Sequence, residues 1–328
     1  MTAADRSSND SYHGRPILKE PVWKPEVGWY LFSGGLAGAS ASLSLAARLT
    51  GNRSLARTSS LVAAAAVNVS PLLLVKDLGR PGRFLNMLRV FKPTSPMSVG
   101  SWLLAVAGSA QSAATTCELL DVMPQVQTGA QICSGVLGPA LATYTAALLS
   151  DTAVPVWHEA RRELPAVFAA SSCASAGSAA VLLGRADATG PARRLAMAGA
   201  GAELLAAGVM ERRLGALAEP YRQGVAGRQA RAARAATAVG VATMAIGRVR
   251  RGGAALILAG AVLQRFAIFN AGKASARDPR YTVEQQRSNV ALREAAAPAG
   301  SGMPGTGRRS HGRSPARAPT GIESEHGL

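Results

Sequence analysis

The chain has 328 residues, a formal net charge of +17 and a mean hydropathy of only +0.13. Leu, Val and Ile are less prominent than Ala, Gly and Ser, so these averages conceal long stretches that carry almost no charge. A soluble Ala-rich helical bundle is disfavoured, because each of its helices would need a polar face and few of these stretches have one. The basic excess does not require nucleic acid, since anchoring against an anionic membrane leaflet accounts for it.

Residues 1–26 are expected to form a polar N-terminal arm. The segment Met1–Val22 contains Pro16 and Pro21 and lacks the apolar core of a signal peptide. The first apolar stretch is therefore expected to act as the insertion signal.

Eight nearly uncharged stretches follow, and we interpret each as a transmembrane helix. Most reach or approach the roughly 17 to 25 apolar residues that a span needs, although the sixth and seventh are short. Their Ala and Gly residues weaken the hydropathy signal but allow close helix packing in lipid. The sequence thus predicts an all-α integral membrane protein with about eight spans within residues 27–271. The stretches are Gly28–Ala47, Thr58–Val75, Ser98–Cys117, Gly129–Leu149, Ala166–Leu183, Leu195–Met210, Ala235–Gly247 and Gly253–Phe269.

Lys and Arg are concentrated in the two termini and in the second, fourth and sixth loops. With eight spans, these segments share one side of the membrane. By the positive-inside rule both termini are expected to be cytoplasmic, in a plasma-membrane protein. After the last span, 272–294 is expected to be a basic segment and 295–328, rich in Gly, Pro, Ser, Ala and Arg, a disordered tail.

The connection between the second and third predicted spans contains several Gly and Pro residues, and we call it the proline-rich loop. Within Leu72–Trp102, Gly79 frees the backbone, Pro81 restricts the residue before it, and Pro93 and Pro96 constrain the entry to the next span. The pattern predicts an ordered loop between two spans.

Cofactor chemistry is narrowed by what the spans lack. The three Cys residues form no C-x-x-C pair, so an iron–sulfur cluster held by this chain is not expected. No His lies in a predicted span, which disfavours a transmembrane bis-His haem. Walker, dinucleotide-binding and Ser-nucleophile motifs are also missing, so we predict neither metal ligands nor catalytic residues. The Cys and His residues are Cys117, Cys133, Cys173, His13, His158, His311 and His326.

A few polar residues lie inside or at the ends of the spans, where ionisable groups are costly and often functional. Asp77 is a candidate, although it can equally pair with Lys76 or Arg80, or hydrogen-bond the turn at Gly79. Glu203 and Arg265 lie in mid-span and need a partner or a wet cavity, and each can be the partner of the other.

Several motifs, in order from about Pro25 to Arg287, resemble those of the NrfD/polysulfide reductase membrane subunits. They cover a Gly-rich first span, the proline-rich loop, the end of the fourth span and the end of the eighth. Their agreement in order makes the resemblance more specific than any single motif. The motifs are Trp29–Gly38, Asp77–Pro81, Phe91–Ser98, Tyr144–Leu149 with Ala153–Trp157, and Arg265 with Ala271–Pro279.

The resemblance implies a membrane subunit with no redox centre of its own, built as two four-helix bundles. It would exchange electrons between a quinone, either menaquinone or ubiquinone, and a peripheral iron–sulfur protein. The quinone would lie in the first bundle, near the face where that partner docks. Tyr144 would hydrogen-bond a quinone carbonyl and Asp77 would accept or relay a proton. Small residues in the first span would leave room for the ring or serve helix packing. These are Gly34, Gly35 and Gly38, and the expected partner-docking loop contains Arg80, Pro81, Pro93, Thr94, Ser95 and Pro96.

We therefore predict a quinone-interacting membrane anchor of a multi-subunit oxidoreductase, which is not an enzyme by itself. Its expected partners are a ferredoxin-like iron–sulfur subunit and a molybdenum- or tungsten-containing catalytic subunit. One alternative is a proton- or solute-translocating protein in which Asp77, Glu203 and Arg265 line a path. Another is a purely structural anchor.

Overall fold

A computed structural model describes residues 18–79, 82, 86–246 and 249–283, and all regular elements within these ranges are helical. Eight of the described helices have 20 residues or more, and a short helix, α5, precedes the fifth of them. The prediction of an all-α protein is confirmed. The helices are α1 (Pro25–Leu49), α2 (Arg53–Leu78), α3 (Pro96–Leu120), α4 (Pro124–Ser150), α5 (Pro155–Glu159), α6 (Leu164–Leu183), α7 (Gly190–Leu214), α8 (Gly224–Ile246) and α9 (Arg250–Arg277). Two 3-10 helices span Ala160–Arg162 and Gly215–Tyr221.

Each predicted span lies within one long helix, except that Gly247 falls outside the described residues. The sixth and seventh were predicted too short. Helix α7 begins at Gly190 and α8 at Gly224, because both continue through Arg residues that interrupt the apolar pattern. Past the predicted domain end at residue 271, α9 continues to Arg277. The predicted tail, 295–328, lies outside the described residues.

Four of the described helices are long and apolar enough to cross a membrane: α2, α4, α6 and α9. The class of a multi-pass membrane protein therefore holds. The other long helices have lower hydropathy, since α1 and α3 are rich in Gly and Ser and α7 and α8 carry several Arg residues. The total of eight spans stays a prediction.

Proline and glycine set several helix ends. Pro25, Pro96 and Pro124 occupy first-turn positions, where the missing N–H costs nothing. Helix α2 ends at Gly79, whose φ of 72° is a left-handed conformation that favours glycine. Pro25, Gly79 and Pro96 fix where the chain turns at the end that holds the candidate site, and Pro124 acts at the opposite end.

Helix neighbours fall into two sets. Helices α1, α2, α3 and α4 contact one another in a ring, and α6, α7, α8 and α9 do the same. The sets meet mainly where α6 packs on α1 and α4, and α9 on α1. Two four-helix bundles would produce these contacts, and that arrangement remains a prediction.

Small residues let neighbouring helices approach backbone to backbone. A Cβ at Gly38 of α1 would press on the carbonyl oxygen of Gly138 and lie 2.8 Å from the backbone nitrogen of Ala142, both in α4. At Gly240 of α8, it would lie 2.8 Å from the carbonyl oxygen of Gly253 in α9. The expected role of Gly in helix packing therefore applies in both sets.

Buried side-chain hydrogen bonds connect the four helices α1, α2, α3 and α4. The side-chain amide of Gln111 in α3 donates to the Ser60 hydroxyl of α2 at 3.1 Å, and its carbonyl oxygen accepts from Ser134 of α4 at 3.0 Å. The Gln131 amide of α4 donates to Ser44 of α1 at 2.7 Å. Because these polar groups are buried, their pairing removes a desolvation penalty and fixes the relative positions of four helices.

We expect Gly38→Ala to lower the free energy of unfolding by about 1–3 kcal/mol, because its methyl group forces α1 away from α4. Thermal unfolding of the detergent-solubilised protein measures the change. Gly34→Ala, in the same helix, is the matched control, since a Cβ there meets nothing within 4 Å. Equal melting temperatures for the two variants would contradict the close contact between α1 and α4.

Candidate functional site

A cavity of about 270 Å³ opens where α1 and α3 begin and α2 and α4 end. Its volume is close to the lower end of the range for small-molecule sites, ~300–1,000 Å³. Most of its wall is apolar, with polar groups from two tyrosines, one serine and one aspartate. We call it the Tyr144 cavity; it is lined by Val22, Trp23, Val27, Tyr30, Leu74, Asp77, Leu78, Met87, Met97, Ser101, Tyr144 and Leu148.

Asp77 lies in the last turn of α2 and is half-buried in the cavity wall. Its Oδ1 accepts a hydrogen bond of 2.9 Å from the backbone N–H of Lys24, just before α1. Lys76, proposed as a simple partner for Asp77, instead pairs with Glu26 at 3.1 Å. The other proposed partner, Arg80, lies outside the described residues. The carboxylate is therefore oriented by the backbone and faces the cavity.

The Tyr144 hydroxyl is buried and has no hydrogen-bond partner among the described residues. Its ring packs edge-on against Tyr30, with centroids 6.4 Å apart. Gly100 of α3 also lies against the ring, since a Cβ there would come 2.5 Å from Cδ2 of the tyrosine. An unpaired buried donor is costly, so this hydroxyl is suited to a ligand that brings an acceptor into the cavity.

The segment before α1 forms one wall and is tied to the end of α9. Trp23 stacks on Trp157 with centroids 5.5 Å apart, and its carbonyl oxygen accepts a 3.0 Å hydrogen bond from Lys273. Glu20 forms a bidentate pair with Arg277 at 2.7 and 2.8 Å. The Arg277 guanidinium holds the pKa of Glu20 below its usual value. These contacts hold Val22 and Trp23 over the cavity.

The described part of the proline-rich loop is ordered by its own side chains. The Ser98 hydroxyl accepts from the backbone N–H of Lys92 and donates to the carbonyl oxygen of Val90, both at 3.0 Å. Phe91 packs edge-on against Trp102, with centroids 6.3 Å apart. Met87 and Met97 line the cavity wall, and Met97 directly follows Pro96, so the end of this loop reaches the cavity. Arg80 and Pro81 of the predicted docking loop lie outside the described residues.

The three predicted glycines do not line the Tyr144 cavity. A Cβ at Gly35 would lie 3.2 Å from Nη2 of Arg265 and press on the hydroxyl of Ser172, while Gly38 packs against α4. Gly34 is buried beside open space. The structure thus gives Gly35 and Gly38 a role in helix packing.

Glu203 of α7 and Arg265 of α9 are both buried, away from the Tyr144 cavity. Arg265 donates to the Phe168 carbonyl oxygen at 2.9 Å and to the Ser172 hydroxyl at 3.1 Å, and its guanidinium carbon lies 3.7 Å from the Phe168 ring centroid. Both Glu203 oxygens lack a hydrogen-bond partner among the described residues. Within the described residues no hydrogen bond joins Glu203 to Arg265, and the hydrogen bonds of the arginine go to α6, but the two charges attract each other. Their role as partners therefore stays a prediction.

Sequence reasoning identified Asp77 and Tyr144 but missed Trp23, Tyr30 and Ser101. Tyr30 lies in the first Gly-rich motif, Trp29–Gly38, which was a usable signal, whereas Trp23 precedes that motif and Ser101 carried no signal. Within the described ranges, His, Cys, Asp and Glu side chains form no group of three that could hold a metal ion.

The fold and the site define a multi-pass, all-α membrane protein with a mostly apolar cavity at one end of its first four helices. The profile of the NrfD family, described as polysulphide reductase NrfD, matches residues 18–210, more than half of the chain. The chain belongs to the NrfD family, whose members are membrane subunits of polysulfide reductase-type complexes. A search among curated proteins gave no match. The matched range includes all of α1 to α4 and hence the whole wall of the Tyr144 cavity.

Removing the Glu20–Arg277 pair should loosen the segment over the cavity. Because the folded-state pKa of Glu20 is lowered, its contribution is complete at neutral pH and is lost as the pH falls through that pKa. We expect faster hydrogen exchange in residues 18–24 for Glu20→Gln at pH 7, and for wild type on acidification. Asp278→Asn is the control, since it removes another carboxylate–arginine pair, with Arg280, that does not touch this segment. Unchanged exchange in Glu20→Gln would refute the role of the pair.

Proposed function

We propose that the chain is the quinone-interacting membrane subunit of a multi-subunit oxidoreductase, with the quinone ring bound in the Tyr144 cavity. The observation that carries this proposal is the unpaired, buried Tyr144 hydroxyl in a cavity that also exposes the Asp77 carboxylate. A quinone carbonyl offers the acceptor that the hydroxyl lacks, and the apolar wall suits the ring. Menaquinone and ubiquinone both fit this description.

The two polar groups have complementary tasks. Oxidation of a quinol releases two electrons and two protons, and reduction of a quinone takes up the same number. Tyr144 donates a hydrogen bond to one oxygen and so stabilises negative charge that develops there. Asp77, with Oδ1 fixed by the Lys24 N–H, accepts a proton from a quinol hydroxyl or returns one to a quinone. The chain provides the binding site and the proton exchange, and it is not an enzyme alone.

Electrons would pass between the quinone and a peripheral iron–sulfur subunit. NrfD-family subunits generally associate with iron–sulfur and molybdenum catalytic subunits in membrane complexes, which supports such partners here, with molybdenum or tungsten in the catalytic one. The loop around Pro93–Pro96 is exposed or half-exposed and lies beside the cavity, so a partner docked on it would be close to the quinone. The complex would lie in the plasma membrane, with both termini of this chain cytoplasmic by the charge distribution.

Buried Glu203 and Arg265 favour a second candidate, translocation of protons or a solute through α6, α7 and α9. Such transport would continue without the partner subunits, whereas quinone chemistry would stop. A purely structural anchor would show neither activity. Measurements of quinone binding separate these possibilities from the proposal.

We expect Tyr144→Phe to weaken binding of a quinone analogue by about two- to tenfold, because one hydrogen bond is lost. Trp23 lines the cavity, so quenching of tryptophan fluorescence in the purified chain reports the binding. Tyr221→Phe is a matched control: its hydroxyl is also buried and unpaired among the described residues, but it does not line the cavity. Absence of saturable quenching in wild type, or equal loss in both variants, would contradict the proposal.

Asp77→Asn should keep the dissociation constant of the quinone analogue within about threefold of the wild-type value, since an amide oxygen still accepts from the Lys24 N–H. Electron transfer from quinol to an acceptor in the assembled complex should fall about a hundredfold, because the proton acceptor is lost. Stopped-flow or steady-state assays of the complex measure this rate. An undiminished rate would remove Asp77 from the mechanism.

Gly100→Ala tests the position of the Tyr144 ring without removing a polar group. The new methyl group cannot coexist with the ring, so we expect the tyrosine to move and analogue binding to weaken by about tenfold or more. Gly108→Ala in the same helix is the control, because its Cβ would meet only a Val67 methyl group, at 3.2 Å. Wild-type binding by Gly100→Ala would place the quinone elsewhere.

A further inference from the structure

A second cavity, of about 570 Å³, lies at the opposite end of the helices. It is formed where α6 ends and where α7 and α9 begin, and we call it the arginine cavity after Arg193, Arg194 and Arg250 in its wall. The Asn52 side chain, before α2, donates a 2.9 Å hydrogen bond to the Ala188 carbonyl oxygen in the α6–α7 connection. This bond places the connection at the start of α2, whereas Asp77 is at its end.

The arginine cavity carries a positive charge that the described residues do not neutralise. None of its three arginines forms an ion pair or side-chain hydrogen bond within the described part of the chain. Asp187 also lines the cavity, but its side chain is 71% exposed and lies 3.5 Å from Arg185. Three guanidinium groups around one carboxylate leave a cavity suited to an anion, and guanidinium groups match the geometry of phosphate oxygens.

The start of α7 adds to this positive potential. Its N-cap residue, Thr189, is buried and makes no side-chain capping bond, because its hydroxyl donates to the Ala186 carbonyl oxygen at 3.3 Å instead. Thr189 and the next residue, Gly190, both line the cavity. Uncapped N–H groups at a helix start attract an anion, here beside three arginines.

The rest of the wall indicates which anion this is. Val181 and Met197 give the cavity an apolar side, and Leu183, in the last turn of α6, is 71% exposed. Helices α6 and α9 are both apolar enough to span a membrane, so the cavity lies where their spans meet the membrane surface. An inorganic phosphate has no apolar group that could contact this side of the cavity. A phospholipid would place its phosphate among the arginines and its glycerol and acyl groups along Val181 and Leu183.

We propose that the arginine cavity binds the headgroup of an anionic phospholipid. The volume, about 570 Å³, falls within the ~300–1,000 Å³ typical of small-ligand sites. The lipid would fill the space between the α6–α7 connection and the start of α9, and would join these elements through its phosphate. This site is independent of the Tyr144 cavity and of any quinone chemistry.

The test is native mass spectrometry of the full chain, delipidated in detergent and titrated with phosphatidylglycerol or phosphatidylcholine. Wild type should bind phosphatidylglycerol at least about tenfold more tightly, because the neutral lipid brings no net negative charge to the arginines. Binding of phosphatidylglycerol should also weaken as salt rises. Equal affinity for the two lipids would overturn the proposal.

Two double variants with the same loss of charge locate the site. Arg194→Gln/Arg250→Gln should weaken phosphatidylglycerol binding about tenfold or more, whereas Arg53→Gln/Arg57→Gln, exposed at the same end but outside the cavity, should change it less than about twofold. If both double variants weakened binding equally, the binding would depend on the overall surface charge, and the proposed site would be refuted. Full displacement of the lipid by millimolar inorganic phosphate would overturn the assignment to a lipid in favour of free phosphate.

Discussion

Close approach of helix backbones is the constraint on which the rest of the structure depends. Ala, Gly and Ser together outnumber Leu, Val and Ile in this chain, and the closest helix contacts are made at such small residues. Where Gly38 meets Gly138, α1 and α4 lie too close for a single methyl group between them. These two helices carry Tyr30 and Tyr144, so the contact also sets the width of the cavity. A looser packing would widen the site and change the position of the Tyr144 ring in it.

The buried polar groups are of two kinds: those whose hydrogen bonds connect helices, and those without a hydrogen-bond partner among the described residues. Gln111 is surrounded by Ser60, Thr115 and Ser134, and both ends of its amide are paired. The Tyr144 hydroxyl is also buried but is unpaired among the described residues. Other hydroxyls are also unpaired, Tyr221 among them, so an orphan donor alone does not identify a site. Tyr144 differs because it lines a cavity whose wall also includes the Asp77 side chain.

The sequence was most informative about the helices and about part of the site. Stretches free of charge located every long helix, because burying charge in lipid is costly. The same rule made the predicted spans in α7 and α8 too short, because arginines interrupt the apolar pattern while each helix continues through them. Asp77 was found through its motif, but its hydrogen bond to the backbone of Lys24 joins residues 53 positions apart and has no local signal. The hydrogen bonds of Arg265 to Phe168 and Ser172 likewise join residues 97 and 93 positions apart, so its mid-span position does not reveal them.

The basic residues serve different purposes at the two ends of the helices, which affects what a charge count means. Near the Tyr144 cavity, Lys273 and Arg277 are bound to Glu20 and hold a wall in place. At the other end, Arg193, Arg194 and Arg250 surround a cavity without ion pairs in the described chain. The positive-inside rule treats all of these charges as equivalent signals of topology. A charge paired within the protein contributes little to the attraction of a lipid surface, whereas an unpaired cluster contributes fully. Among the described residues, the structure separates paired from unpaired basic side chains, a distinction that a count of charges along the sequence does not make.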